Sequence, residues 1–511
     1  MLVKESKNNQ KLPQFSQYYD QFTNTYKIIF LVAISQGVLS LSELGISFLY
    51  KDDFKLSPSQ VSILQSLIGL PWILKPLWGV ISDTFTIFGD RRKSYIVIFS
   101  LLSFFLWITL AFFVKNIYEG IFVLFLIQFS NAFNNVVAEA LLVEISQEKS
   151  IKNQLNDIQQ QAEASKNVSL FFGIKSFGVL ISSFLGGYLL QFYDKHYIFA
   201  ITGLFPLFLC IGTFSTFFTK DKEQVNENNK QKFKSKDQII TFISFIKKPF
   251  IYKPIIFIFL FMMTPTSNTT IFFFYTNKLH FQPSFMGQLK FVHAFANILA
   301  LWGYNKYLKS IQFKKQFIFS TFLCVFLGLS QLLLVTRYNL KIGIPDKIFC
   351  LGDSIIIQII GEINILPILI LACRLCPKNI EGTMYAMLMS TINFGSLIAG
   401  QLGGLFTYYL RITETNFDNL WILVVIANVT TAMPLLFINM IDTDNLQEIQ
   451  QQEQEENNGF LEENSDNLEE NCEFQKGNNF QQEVQNKEIY NEEQILKEKL
   501  NQKDDKNYSY C

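Results

Sequence analysis

The sequence predicts an all-α membrane protein with twelve transmembrane helices in two six-helix bundles. Three observations carry this expectation. First, long Leu/Ile/Phe runs recur along the chain, among them Ile96 to Val114, Ile198 to Phe218 and Phe317 to Val335. A span needs roughly 20 mostly apolar residues, and lipid offers backbone polar groups no partner, so each span must be a helix. Second, only 17% of residues are charged and the mean hydropathy is +0.21, whereas soluble domains carry about 25% charged residues. Third, one long polar connection, Thr219 to Lys248, divides the apolar segments into two sets.

Taken in order, the expected spans are 27–50, 60–82, 95–114, 119–142, 168–192 and 197–218, then 251–276, 285–306, 316–337, 348–373, 379–409 and 418–441. They imply five regions: an N-terminal segment 1–26, a first bundle 27–218, a basic linker 219–250, a second bundle 251–441 and an acidic tail 442–511. The tail is rich in Glu, Gln and Asn with few aromatics, a composition that reads as disordered. Basic residues orient the spans. The loops leaving even-numbered spans hold Arg91, Arg92, Lys93, then Lys149, Lys152 and Lys166, then the Lys-rich linker, then Lys306, Lys309, Lys314, Lys315, Arg374 and Lys378. The opposite loops hold fewer, with Arg337, Lys341 and Lys347 as the exception. Both termini and the linker are therefore expected in the cytoplasm, of either a plasma membrane or an organelle membrane.

Composition also narrows the chemistry. The 54 Phe residues suit lipid-facing and interhelical packing. The seven Cys show no disulfide framework, and Cys373-Arg-Leu-Cys376 stands alone, without the second pair or His that a zinc site needs. The first residues are polar and the first apolar run is full span length, so no cleavable signal is expected. No nucleophile–base pair or phosphate loop stands out. An enzyme is not expected, nor a cofactor, a metal or a nucleic-acid partner. The expected partners are a small-molecule substrate, protons and the lipid bilayer.

Ionisable and polar residues inside spans are costly and usually face a bundle interior. On the first span Gln36, Ser40, Glu43 and Ser47 recur at helical spacing; on the fourth, Gln128, Asn131, Asn135 and Glu139 do the same. On the eighth Lys290, His293 and Asn297 align, and on the tenth Gln358 and Glu362 share a face with Asp353 nearer the outer end. The second and fifth spans add Lys75 and Lys175. Such faces predict a polar cavity between two bundles, as a transporter of a hydrophilic solute requires. The candidate substrate-binding residues are Lys75, Asn131, Asn135, Glu139, Lys175, Lys290, His293, Asp353 and Glu362.

Gly79-x-x-x-Asp83, followed by Gly89, Arg91, Arg92 and Lys93, resembles the signature loop of the major facilitator superfamily, with a longer spacing from Asp83 to Gly89. Gly79 would allow close helix packing, and Asp83 would cap a neighbouring helix and pair with a base. The candidate gating residues are Gly79, Asp83, Arg91, Arg92 and Glu144.

Further stretches resemble the folate–biopterin transporter family, a branch of that superfamily. They include Tyr50-Lys-Asp-Asp-Phe-Lys-Leu-Ser-Pro58, Gly69-Leu-Pro-Trp-Ile-Leu-Lys-Pro-Leu-Trp-Gly79 and Asn135-Val-Val-Ala-Glu-Ala-Leu-Leu-Val-Glu144. Thr264-Pro-Thr266, Gly343-Ile-Pro-Asp346, Leu351-Gly-Asp-Ser354, Arg374-Leu-Cys-Pro377 and Glu381-Gly-Thr383 follow in the same order, over roughly 40–440. The resemblance implies inward, proton-coupled movement of a folate or pterin, and some members carry S-adenosylmethionine. It gives functional weight to Lys75, Glu139, Glu144, Lys290 and Asp353. The chain departs from the family pattern at Asn135, Glu139 and Asn268, where the family has Asp, and at Lys175, His293 and Glu362, where neutral residues are expected. These departures leave the fold expectation intact and keep three readings open: a folate or pterin transporter, a transporter of another solute, and a non-transporting receptor or scaffold.

Overall fold

A computed structural model describes residues 12–88, 90, 92–152, 157–216, 247–308, 313–374 and 381–441. The N-terminal segment to residue 11, most of the predicted linker (219–246) and the tail 442–511 lie outside the described residues, as do Gly89, Arg91 and the side chain of Asp83.

The described chain is helical throughout. Before the linker run α1 (Leu12–Val38), α2 (Ser40–Phe48), α3 (Pro58–Ile68), α4 (Lys75–Thr84), α5 (Lys93–Phe112), α6 (Ile117–Lys152), α7 (Asp157–Phe192) and α8 (Lys195–Ser215). After it come α9 (Pro249–Met262), α10 (Asn268–Phe273), α11 (Pro283–Gly303), α12 (Phe313–Gly328), α13 (Gln331–Val335), α14 (Tyr338–Lys341), α15 (Asp346–Arg374), α16 (Glu381–Tyr409) and α17 (Leu420–Thr430). Below, α1–α8 form the N-terminal set and α9–α17 the C-terminal set. Among the described residues nine helices are long and apolar enough to cross a membrane, from Thr25–Asp53 to Leu420–Met440, and Ile251–Met262 is a shorter apolar one. The helix Pro283–Gly303 matches them in length but carries Lys290, His293 and Asn297 on its body.

Local chemistry explains several boundaries. Ser57 opens α3 with a capping box: its hydroxyl accepts from the Gln60 backbone N–H, the Gln60 side chain accepts from Ser57 N–H, and Pro58 fills the first position. Asp194 caps α8 by accepting from His196 N–H at 2.9 Å. Expected spans 27–50, 316–337 and 418–441 are broken by turns of one or two residues at Leu39, Leu329–Ser330 and Thr431–Ala432, and two more are interrupted over a longer stretch. Span 60–82 breaks between Ile68 and Lys75, where Pro71 and Pro76 cannot continue the hydrogen-bond ladder. Span 251–276 breaks between Met262 and Asn268, around Pro265. The fourth and fifth helices run further than 119–142 and 168–192, ending at Lys152 and starting at Asp157, because their polar extensions keep helical hydrogen bonds beyond the apolar stretch that defines a span.

The two sets touch at the end that carries the turns 53–57, 193–194 and 279–282. A Cβ added to Gly187 of α7 would lie 2.3 Å from Gly287 Cα of α11, so the two backbones are in direct contact. Nearby, Ser62 Oγ donates to Gly400 O at 2.9 Å, Gln401 Nε2 to Ile63 O at 3.2 Å, and Lys51 Nζ to Asn277 Oδ1 at 3.1 Å. Buried aromatic and aliphatic side chains from both sets, including Tyr50, Trp107, Phe273 and Phe285, form a continuous core there.

Candidate functional site

The break in the second span builds one wall of the site. With the helix interrupted, two carbonyls lose their ladder partners and take side chains instead: Trp78 Nε1 donates to Pro71 O at 2.8 Å, and Asn393 Nδ2 of α16 donates to Trp72 O at 3.1 Å. Trp72 is held by donating its own Nε1 to Gln128 Oε1 at 3.0 Å. The Lys75 ammonium lies 5.3 Å from the centre of the Trp72 ring, within cation–π range.

Against this wall lies a cavity of about 550 Å³ lined by residues of both sets. The polar faces on α1, α2, α6 and α11 converge on it: Gln36, Ser40 and Glu43, then Gln128 and Asn131, then Lys290, His293 and Asn297. Lys175 and Ser183 of α7 and Gln358 of α15 complete the polar lining, with Trp72, Trp107, Leu124 and Ile127 as apolar wall. Four of the nine candidate binding residues are therefore brought together here: Asn131, Lys175, Lys290 and His293.

The other five are not part of that lining and bond to neighbouring side chains. Lys75 is 5% exposed and its ammonium meets Glu139 Oε1 at 3.1 Å and Oε2 at 3.4 Å. Asn135, 2% exposed, donates to Gln36 Oε1 at 3.1 Å. Glu362 accepts from Gln358 Nε2 at 3.4 Å. Asp353 accepts from Ser330 Oγ, inside the C-terminal set. The polar stripe on α6 thus divides along its length: Gln128 and Asn131 reach the cavity, while Asn135 and Glu139 pair with other helices.

Two cations and one carboxylate define the electrostatics of the lining. Lys290 Nζ lies 2.6 Å from Glu43 Oε2, joining α11 of the C-terminal set to α2 of the N-terminal set. Glu43 Oε1 also accepts from Ser40 Oγ at 3.3 Å. Lys175 makes no hydrogen bond or ion pair among the described residues. Together with His293, Lys175 and Lys290 can hold an anionic solute with polar ring atoms, and Trp72 offers a flat apolar surface. In the sequence Trp72 stands only within the Gly69–Gly79 stretch; a tryptophan between Pro71 and Lys75, at a helix break, is the signal that marks it.

At the opposite end of α4 the gating candidates that are described form a small network. Arg92 donates from Nε to Glu144 Oε1 at 3.0 Å and from a terminal nitrogen to Ser82 Oγ at 2.8 Å. Its second terminal nitrogen lies 2.9 Å from Glu144. A Cβ at Gly79 would meet Val136 at 3.8 Å, an ordinary contact, so clearance for α6 does not require glycine there.

Comparison with known proteins adds sequence and fold relationships. The sequence profile of the BT1 family matches residues 36–459. The chain is 36% identical over 422 residues to the folate-biopterin transporter of Synechocystis sp., covering 83% of this chain and 82% of that protein. It is 35% identical over 412 residues to folate transporter 1 of Plasmodium falciparum, covering 80% and 78% respectively. Among solved structures, the nucleoside transporter NupG superposes with a TM-score of 0.59 at 14% identity, over 82% of this chain and 99% of that one. That likeness is one of fold.

Proposed function

The chain belongs to the BT1 family, and from that premise we propose that it carries folate or a related pterin across a membrane by alternating access. It is a multi-pass membrane transporter of the major facilitator fold rather than an enzyme. The observation that carries the substrate reading is the cavity shared by both helix sets, with Lys175 and Lys290 on its wall. A folate has two carboxylates at one end and a flat heterocycle at the other. Lysines suit the carboxylates, while Trp72, Gln128 and Asn131 suit the ring by stacking and hydrogen bonding.

In this reading the helices form two six-helix bundles related by an axis along the membrane normal. With both termini cytoplasmic, the end closed by Gly187, Gly287 and the Ser62–Gly400 bond is the outer one, and the described conformation opens inward. Glu139 carries the coupling proton, held by Lys75. Arg92 and Glu144, with Asp83 and Arg91, exchange partners as the bundles rock.

Reconstituted vesicles test the substrate. Labelled folate, a pterin and S-adenosylmethionine are offered with and without an inward pH gradient. Folate or pterin should accumulate, and more so with the gradient. Accumulation of S-adenosylmethionine alone would overturn the substrate reading. The gate has a separate test. The Glu144 side chain is 46% exposed, so its ion pair contributes at most about 1 kcal/mol to stability. Glu144→Gln should unfold within a few degrees of wild type yet transport about tenfold more slowly, as expected when a coupling of 1–3 kcal/mol is lost. Wild-type transport would leave the Arg92 network as an anchor.

A further inference from the structure

The cavity already contains a carboxylate. Glu43 reaches across from α2 to Lys290 on α11 at 2.6 Å, and its side chain is 56% exposed to the cavity. Two features distinguish this pair from Lys75–Glu139. It joins the two helix sets, and it is open to solute. Lys75, by contrast, is enclosed on the wall of the N-terminal set. A solute carboxylate that approaches Lys290 therefore meets a site that is occupied by the protein's own acid.

We propose that Glu43 is a resident carboxylate on the solute-carboxylate site of Lys290, so that an anionic substrate binds by displacing it and thereby breaks an ion pair between the two helix sets. The inference rests on the folate or pterin reading above and adds a selection rule to it. A ligand with carboxylates exchanges one ion pair for another, and the bond between α2 and α11 is released. A carboxylate-free pterin occupies the ring end of the cavity and leaves the Glu43–Lys290 bond in place. Lys175, on α7 of the same cavity, offers a second cation to a ligand with two carboxylates, or a new partner for the displaced Glu43. The basic side chains that line the cavity with Glu43 are thus Lys290 on α11 and Lys175 on α7, and the titratable His293 lies one turn along α11. Binding energy of the acidic end of the ligand is in this way converted into loss of an inter-set contact, which is the differential interaction a population shift requires.

The test compares two ligands on purified protein: folate, with two carboxylates, and biopterin, with none. Glu43→Gln removes the competitor and should tighten folate binding by about tenfold, the equivalent of a charged hydrogen bond no longer broken. Biopterin binding should change much less than folate binding, and the unfolding midpoint of the variant serves as the control for folding. Adding Lys290→Gln should abolish the gain, since the two effects are then coupled rather than additive. In vesicles, wild type should carry folate faster than biopterin, and Glu43→Gln should narrow that difference. If the wild type binds folate but Glu43→Gln weakens both ligands equally, or leaves both unchanged, the pair is a structural tie and the proposal is wrong while the substrate reading stands. If the wild type binds neither compound, the substrate reading falls and takes the proposal with it.

Discussion

Gly287→Leu is expected to abolish transport while leaving a folded protein that still binds substrate. The reason is geometric. A Cβ at Gly287 would lie 2.6 Å from Gly187 Cα and 3.1 Å from Gly187 N. The obstacle is backbone on a neighbouring helix, and no flexible side chain can move aside. Overpacking of this kind costs typically about 1–3 kcal/mol, occasionally more, and at the upper end the closed conformation is depleted by roughly a hundredfold. Because α7 and α11 belong to different sets, the strain falls on closure of that end, while each helix keeps its own hydrogen bonds. Uptake into vesicles should therefore fall by about that factor, whereas equilibrium binding to solubilised protein should persist. Gly187→Leu should behave in the same way, as the contact is reciprocal. Uptake at wild-type rate in either variant would show that the backbone contact is dispensable for the cycle.

The second large effect is expected at Glu139. Lys75 has a side chain only 6% exposed, and Glu139 is its ion-pair partner. Removing the carboxylate leaves a buried ammonium without a counter-charge, a loss of about 3–5 kcal/mol. Glu139→Leu should thus lower the unfolding midpoint strongly. The double variant Lys75→Met/Glu139→Leu should recover most of that loss, since apolar replacement of a whole buried pair is often neutral or stabilising. This cycle separates structure from coupling. If Glu139 carries the coupling proton, the double variant is stable and still exchanges folate across the vesicle, but does not concentrate it under a pH gradient. Concentrative uptake by the stable double variant would reduce the pair to a packing element.

The resemblance to the transporter family and the positions of the polar faces were both legible in the chain. Helical spacing alone marks Gln36, Ser40, Glu43 and Ser47 as one face and Lys290, His293 and Asn297 as another, because residues three and four apart lie on one side of a helix. All but Ser47, whose hydroxyl donates to Glu43 O at 3.1 Å, line the cavity. The same rule cannot say how far along a helix a face stays with the cavity. On α6 the stripe continues unbroken from Gln128 to Glu139, yet only its first two members reach the lining, and Asn135 and Glu139 bond to Gln36 and Lys75. Straight helices packed at an angle diverge from a central space, so the partner at each turn depends on the crossing geometry.

Hydropathy likewise marks apolar stretches but not where their helices break. The breaks at Gly69 to Leu74 and Met263 to Ser267 sit inside runs apolar enough to read as continuous helices. Pro71 and Pro265 mark them, though proline is also tolerated within membrane helices when neighbours satisfy the freed groups. Here the neighbours do: Trp78 and Asn393 take the carbonyls of Pro71 and Trp72.

By itself the sequence determined that this chain is a helical membrane protein with charged, internally facing helix surfaces, because apolar length and residue period are local properties that any lipid environment enforces. Only the tertiary structure decided which charges meet. That Lys75 is enclosed by Glu139 while Lys290 is held by Glu43 across the two helix sets, and that Gly187 touches Gly287, depends on residues 64, 247 and 100 positions apart in the chain. Those pairings are set by the packing of whole helices, and no spacing along one helix encodes them.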